Sequence, residues 1–140
     1  MKIFFDTSAL LQCYLPEPGR ETVLRLLAKA RPAVVAAHCK IELYSALVRI
    51  RRETEATEHA YRSTCAELER TFSNIAVAPI STLVERVAVQ TLESADLRGA
   101  CALHVATAVV AGAELFVTAD LRQHRVAVAA GLNASLIDGA

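Results

Sequence analysis

The first ten residues, MKIFFDTSAL (residues 1–10), decide how the rest of the chain reads. Ile3, Phe4 and Phe5 form a short run with β-branched and aromatic character and no polar alternation, as in a strand buried on both faces of a parallel sheet. The run stops at Asp6. Open α/β sheets bind ligands at the carboxyl ends of their strands, which is where this carboxylate falls. Asp after a strand is equally a common turn or capping residue, and this stretch alone leaves the two readings level. Thr7 and Ser8 offer hydroxyls to cap the helix that Ala9, Leu10 and Leu11 begin.

Working outward, helical periodicity ends at Pro16, and the PEPG tetrapeptide at 16–19 is a turn. Val23, Leu24, Leu27 and Ala28 predict the apolar stripe of a second helix. Residues 33–37 are a second buried strand with β-branched Val34 and Val35. Residues 40–52 read as a helix with a broad apolar face and Glu42 near its start. Ser45, Ala46 and Arg49 share Glu42's strip, leaving room for a ligand to approach. A surface Glu favoured by the helix dipole and paired with Arg49 is the competing reading.

The charged run between Arg49 and Glu58 reads as a solvated helix end and connection. A polar-rich helix over 54–72 leads to a third strand at 75–78. Thr82 and Glu85 have the spacing of a capping box. Residues 99–111 form a small-residue helix ended by Gly112. Leu115, Phe116 and Val117 then make a strand that closes through Thr118 and Ala119 on Asp120. A second apolar strand therefore ends in Asp as the first does, and with Glu42 on an intervening helix the three carboxylates become a candidate acidic cluster. A helix over 121–130 and a strand over 134–137 complete a doubly wound α/β order with short crossovers.

Composition narrows the function classes. At 140 residues and 54% hydrophobic the chain is one domain's worth, residues 1–140, with an ordinary core. Its formal net charge is zero, so a nucleic-acid partner must be held by a local patch or a bound cation. Asp6 interrupts the N-terminal apolar run too early for a secretory signal, and His104, Gly112 and Glu114 interrupt residues 101–117 too often for a membrane span. Cys13, Cys39, Cys65 and Cys101 are scattered singly, as expected of reduced thiols in a cytosolic protein.

Asp6 in FFDTSALL, Glu42 in CKIELYSAL, the block LRGACALHVATA and Asp120 closing FVTAD occur in the order and at about the spacing of the PIN-domain family. Essentially end to end, the chain resembles the small VapC-type toxins of toxin-antitoxin pairs. The resemblance implies a three-layer α/β/α fold with a central parallel sheet of four or five strands. It also implies a cytoplasmic endoribonuclease, a homodimer restrained by a cognate antitoxin that presents a basic side chain to the acidic groove. The helices carrying residues 10–14 and 23–27 offer that antitoxin an apolar surface, unless their stripes are core.

In this reading Asp6 and Asp120 ligate Mg2+ or Mn2+, with Glu42 bound directly or through water. Hard oxygen donors select such ions, which neutralise crowded carboxylates and activate water for attack on a phosphodiester. Thr7, Ser8 and Thr118 orient the carboxylates. Arg98 is the leading phosphate contact, a solvated Arg being the alternative.

One position departs from the family pattern. Cys101 stands where the block usually has a metal-site Asp, and a thiol replaces a hard anionic oxygen. Asp96 lies half a helical turn out of phase and does not take over. This weakens the expected activity and motivates an alternative, a degenerate PIN fold kept as a binding or regulatory module. Cys101 and His104 are themselves expected to be a buried core pair rather than a nucleophilic site. A phosphotransferase of the haloacid dehalogenase type fits poorly, because Ser8 occupies the place of that class's second Asp.

Overall fold

The computed structural model describes residues 1–138. Strands β1 (Ile3–Phe5), β2 (Ala33–Ala36), β3 (Ala76–Ala78), β4 (Leu115–Thr118) and β5 (Ala134–Leu136) form one parallel five-stranded sheet in the order β3-β2-β1-β4-β5. From the central β1 the chain builds outward through β2 and β3, then crosses back to lay β4 and β5 on the other side. The strand order thus reverses between β1 and β4. Crossovers diverge there, leaving a crevice at the carboxyl ends of those two strands.

The helices are α1 (Thr7–Leu11), α2 (Arg20–Lys29), α3 (Cys39–Thr54), α4 (Glu58–Phe72), α5 (Thr82–Ser94), α6 (Gly99–Ala111) and α7 (Leu121–Ala129). Because side chains alternate along a strand, Ile3, Phe5, Val35 and Val117 join a core closed by Leu10, Val23, Leu43, Leu47 and Leu68 from α1 to α4. Phe4, Val34, Ala36 and Phe116 join the opposite core, closed by Val105 and Ala108 of α6 and Ala127 of α7. Covering both faces explains why β1, β2 and β4 read as unbroken apolar runs. Phe4 and Phe116 stack across the central strand pair, ring centroids 5.4 Å apart. Small residues let α5 and α6 pack closely, Val84 and Ala88 against Ala102 and Ala106. No helix among the described residues is long and apolar enough to cross a membrane.

Several local expectations change. Thr82 does not cap α5: Ser81 does, its hydroxyl accepting from the Val84 N–H at 3.2 Å, so Thr82 is already helical. The expected helix over 54–72 starts later. Residue Thr54 still belongs to α3, Glu55 turns into the left-handed region (φ 53°), and Thr57 caps α4. In α2 the buried positions are Val23 and the following Ala30, with Leu26 and Leu27 against the core, while Leu24 and Ala28 are exposed. Leu10, Cys13 and Val23 are buried, so the stripes considered as antitoxin surface are mainly core.

Candidate active site

The register of the central strands builds one half of the site. Phe5 pairs with Val117, and the Asp6 N–H donates to the Val117 carbonyl at 3.1 Å, which sets Asp6 beside Thr118. Asp6 is 2% exposed, and its Oδ1 caps α1 by accepting from the Ala9 N–H at 3.0 Å. The cap is therefore Asp6 and not Thr7 or Ser8, whose hydroxyls serve the carboxylates instead. Ser8 Oγ donates to Asp6 Oδ1 at 2.7 Å and accepts from the Ala119 N–H at 2.9 Å. Thr118 Oγ1 donates to Asp6 Oδ2 at 2.5 Å and accepts from the Asp120 N–H at 3.1 Å. Asp120 in turn caps α7 by accepting from the Gln123 N–H at 3.0 Å. Capping and lining the crevice are thus compatible for both Asp residues.

The other half is organised by Glu42 on the first turn of α3. Its Oε1 accepts from Thr7 Oγ1 at 2.7 Å and from His104 Nε2 at 2.6 Å, with His38 Nε2 3.5 Å away. His38 Nε2 donates to the Ala100 carbonyl at 2.8 Å, and the two imidazole rings lie 4.2 Å apart. The expected Glu42–Arg49 pair is replaced by these histidine contacts. Among the described residues, the group of three potential metal ligands with donor atoms all within 4.8 Å of one another is His38, Glu42 and His104.

Asp6 and Asp120 from the first half and Glu42 and His104 from the second line one cleft of about 410 Å3, together with Thr7, Ser8, Arg49, Arg98, Cys101 and Gln123. Asp6, Glu42 and Asp120 all face it. Cys101, in the first turn of α6, is partly buried against the cleft rather than in the core, and its thiol pKa is raised by burial and then by the nearby charges of Asp120 and Glu42. His104 is buried, yet it engages Glu42; the expected inert core pair is therefore not what the fold makes of these two residues. Asp96 is exposed outside the cleft.

Electrostatics separate buried Asp6 from the partly exposed Glu42. Desolvation dominates at Asp6 and raises its pKa against the lowering influence of His104, Thr118, Ser8 and the Ala9 N–H. At Glu42 burial also raises the pKa, but the hydrogen bonds from His104 and Thr7 and the proximity of both imidazoles outweigh it, so the net direction is down. Burial lowers the His38 pKa, and His104 lowers it further. Residues 38 and 123 escaped sequence reading. For His38 a signal existed, since it lies four positions before Glu42 on one helical face; Gln123 carried none.

The PIN domain model matches residues 3–129. The chain belongs to the PIN domain family. No curated protein sequence matches it, and its similarity to solved PIN structures lies in the fold. The Mycobacterium tuberculosis VapC20 structure, described as a sarcin-ricin loop cleaving toxin, aligns with TM-score 0.67 at 21% identity, covering 93% of this chain and 95% of that one. VapBC2 from Rickettsia felis, bound to a DNA fragment from its promoter, aligns with TM-score 0.72 at 14% identity over 99% and 100%. DNA-bound VapBC from Salmonella typhimurium gives 0.69 at 15% over 96% and 97%. This PIN domain therefore has the fold of VapC toxins, with an acidic and histidine cluster at its switch-point crevice.

Proposed function

We propose that this PIN domain is a divalent-metal-dependent endoribonuclease acting as the toxin of a toxin-antitoxin pair, its activity weakened by Cys101. The observation that carries the reading is a single cleft at the carboxyl ends of β1 and β4 lined by Asp6, Glu42, Asp120, Arg49 and Arg98. The donor chemistry fits a hard cation. Asp6 is a buried carboxylate whose contacts are two hydroxyls and an N–H, and their support is outweighed by desolvation. A positive ion is the counter-charge that such a group lacks. Asp6 and Asp120 would hold Mg2+ or Mn2+, with Glu42 reaching it through water because its Oε1 already accepts from Thr7 and His104. When bound, the ion supplies charge neutralisation at phosphate oxygens and an acidified water.

The chain's own residues do the positioning. Ser8 and Thr118 hold Asp6 in place through its two oxygens, and the Gln123 N–H anchors Asp120. Arg98 and Arg49 receive the RNA backbone at the rim, supplying the local positive charge that a net-neutral chain does not provide globally. Its partners are an RNA substrate, a second copy of the chain and a cognate antitoxin, the last suggested by the VapBC complexes that share the fold. An antitoxin arginine would suit a cleft with three carboxylates. The domain acts in the cytoplasm. The alternative of a non-catalytic binding module is favoured by Cys101, whose thiol occupies the cleft where a further carboxylate would strengthen ion binding.

The test is cleavage of RNA by purified protein in Mg2+ or Mn2+, compared with Asp6→Asn. Cleavage that requires both the ion and Asp6 supports the nuclease. Ion-independent cleavage, or equal cleavage by the variant, rejects it; retained RNA or antitoxin binding without any cleavage supports the binding module.

A further inference from the structure

Two donors from other helices converge on Glu42 Oε1, and a further nitrogen lies close by. His104 Nε2 from α6 is 2.6 Å away, Thr7 Oγ1 from α1 is 2.7 Å away, and His38 Nε2, one turn before Glu42, is 3.5 Å away. The two rings lie side by side, 4.2 Å between centroids. Two imidazoles and a carboxylate with donor atoms within 4.8 Å of one another form a nitrogen-rich donor set, which has no counterpart in the Asp6–Asp120 half of the cleft.

We infer that His38, Glu42 and His104 form a second divalent-metal site, selective for an ion of the Zn2+ class over Mg2+. Imidazole nitrogen suits such borderline ions, whereas Mg2+ prefers oxygen. A tetrahedral ion with bonds of about 2.0–2.1 Å separates its ligand atoms by about 3.3 Å. The 3.5 Å between His38 Nε2 and Glu42 Oε1 already matches that spacing. The 2.6 Å between His104 Nε2 and Glu42 Oε1 has to widen by about 0.7 Å to reach it, within the reach of a side-chain adjustment. Ligation through Nε2 requires each ring to give up the proton it donates there, released to solvent through the cleft or taken by its own Nδ1, and His38 gives up its bond to the Ala100 carbonyl. Glu42 and His104 line the cleft, so the ion is reached from it. Three protein ligands are the number found in open zinc sites, where a solvent molecule completes the set.

This site needs His38, which the nuclease reading does not use, and needs neither Asp6 nor Asp120. The experiment titrates metal-free protein with Co2+, read by its visible absorption, followed by competition with Zn2+ and with excess Mg2+. We expect saturable Co2+ binding that Zn2+ displaces and Mg2+ does not. His38→Ala and His104→Ala should each weaken it by at least about tenfold, since even supporting partners of metal ligands are worth that much. Asp6→Asn should change it far less. His38 is only partly buried, so its variant decides the matter if His104→Ala does not fold. Absence of saturable Co2+ binding, unchanged affinity in folded His38→Ala, or displacement by Mg2+ would overturn the site. Co2+ binding through His38 without RNA cleavage in any metal rejects the nuclease alone; Asp6-dependent cleavage without Co2+ binding rejects this site alone.

Discussion

Thr118 holds Asp6 across the central strand pair: its hydroxyl donates to Asp6 Oδ2 at 2.5 Å while accepting from the N–H of Asp120 at 3.1 Å. One buried side chain thereby fixes the relation between the two strand-end carboxylates. Thr118→Val keeps the shape and removes both bonds, so a buried carboxylate loses a donor. We predict a loss of about 1.5–3 kcal/mol in unfolding free energy, measured by urea denaturation. RNA cleavage should fall with it under conditions where the variant remains folded, because Asp6 loses its orientation. Unchanged stability would show that the hydroxyl is dispensable.

Asp6 and Glu42 should affect stability with opposite signs. The folded pKa of Asp6 is raised, so its favourable contribution exists below the unfolded value of 3.8 and disappears as pH rises through the folded value. At neutral pH and without metal, Asp6→Asn should therefore raise Tm, by about 4 °C for each kcal/mol recovered. Glu42 is lowered, so its contribution is present above 4.5 and is lost as pH falls through the folded value. Glu42→Gln should lower Tm at neutral pH and lose that deficit in acid. Thermal scans across pH with chelator present decide both signs.

Mg2+ or Mn2+ should stabilise the wild-type protein and leave Asp6→Asn nearly unaffected. Saturation at a hundred times Kd corresponds to about 2.7 kcal/mol. A calorimetric scan with and without the ion measures it. Equal stabilisation of both proteins would place the ion elsewhere.

Cys101 faces the cleft near Asp120 and Glu42. Cys101→Asp should strengthen Mg2+ binding by adding a hard anionic ligand, and its place in the first turn of α6 helps hold the charge. Isothermal titration reads the affinity and an RNA assay the rate. Tighter Mg2+ with faster cleavage identifies a weakened nuclease; tighter Mg2+ without cleavage favours the binding module.

Gly19 closes the PEPG turn against β5. A Cβ there would meet Ile137 Cγ2 at 2.4 Å and Gln12 Oε1 at 2.9 Å. Ile137 is a buried core residue just after β5, so its side chain or backbone must shift. Gly19→Ala should destabilise the protein by about 1–3 kcal/mol through overpacking, seen as a lower urea midpoint with an unchanged slope.

What the sequence determined by itself was local and repeated. Apolar runs at Ile3–Phe5 and Leu115–Thr118, each followed within two residues by Asp, were legible because a strand covered on both faces needs unbroken hydrophobicity and ends where the chain turns polar. Alternating strands and helices then left the doubly wound order as the natural arrangement, and the family motifs agree with the match over residues 3–129. Helix boundaries were less legible. Ser81 and Thr82 are adjacent hydroxyls with equal claim to the cap, and which one caps depends on a backbone turn that neither residue type dictates.

Only the tertiary structure decided how the site is wired. Strand order β3-β2-β1-β4-β5 makes β1 and β4 neighbours although more than a hundred residues separate Asp6 from Asp120, and the placement of α6 across the sheet brings His104 to Glu42 over 62 positions. His104 and Cys101 looked like a core pair because a composition of alanines and valines is all that the local sequence displays. Whether one face of such a helix meets hydrocarbon or a carboxylate is set by the docking angle of α6 against α3 and the sheet, a sum of packing contacts from the whole chain that no local spacing encodes.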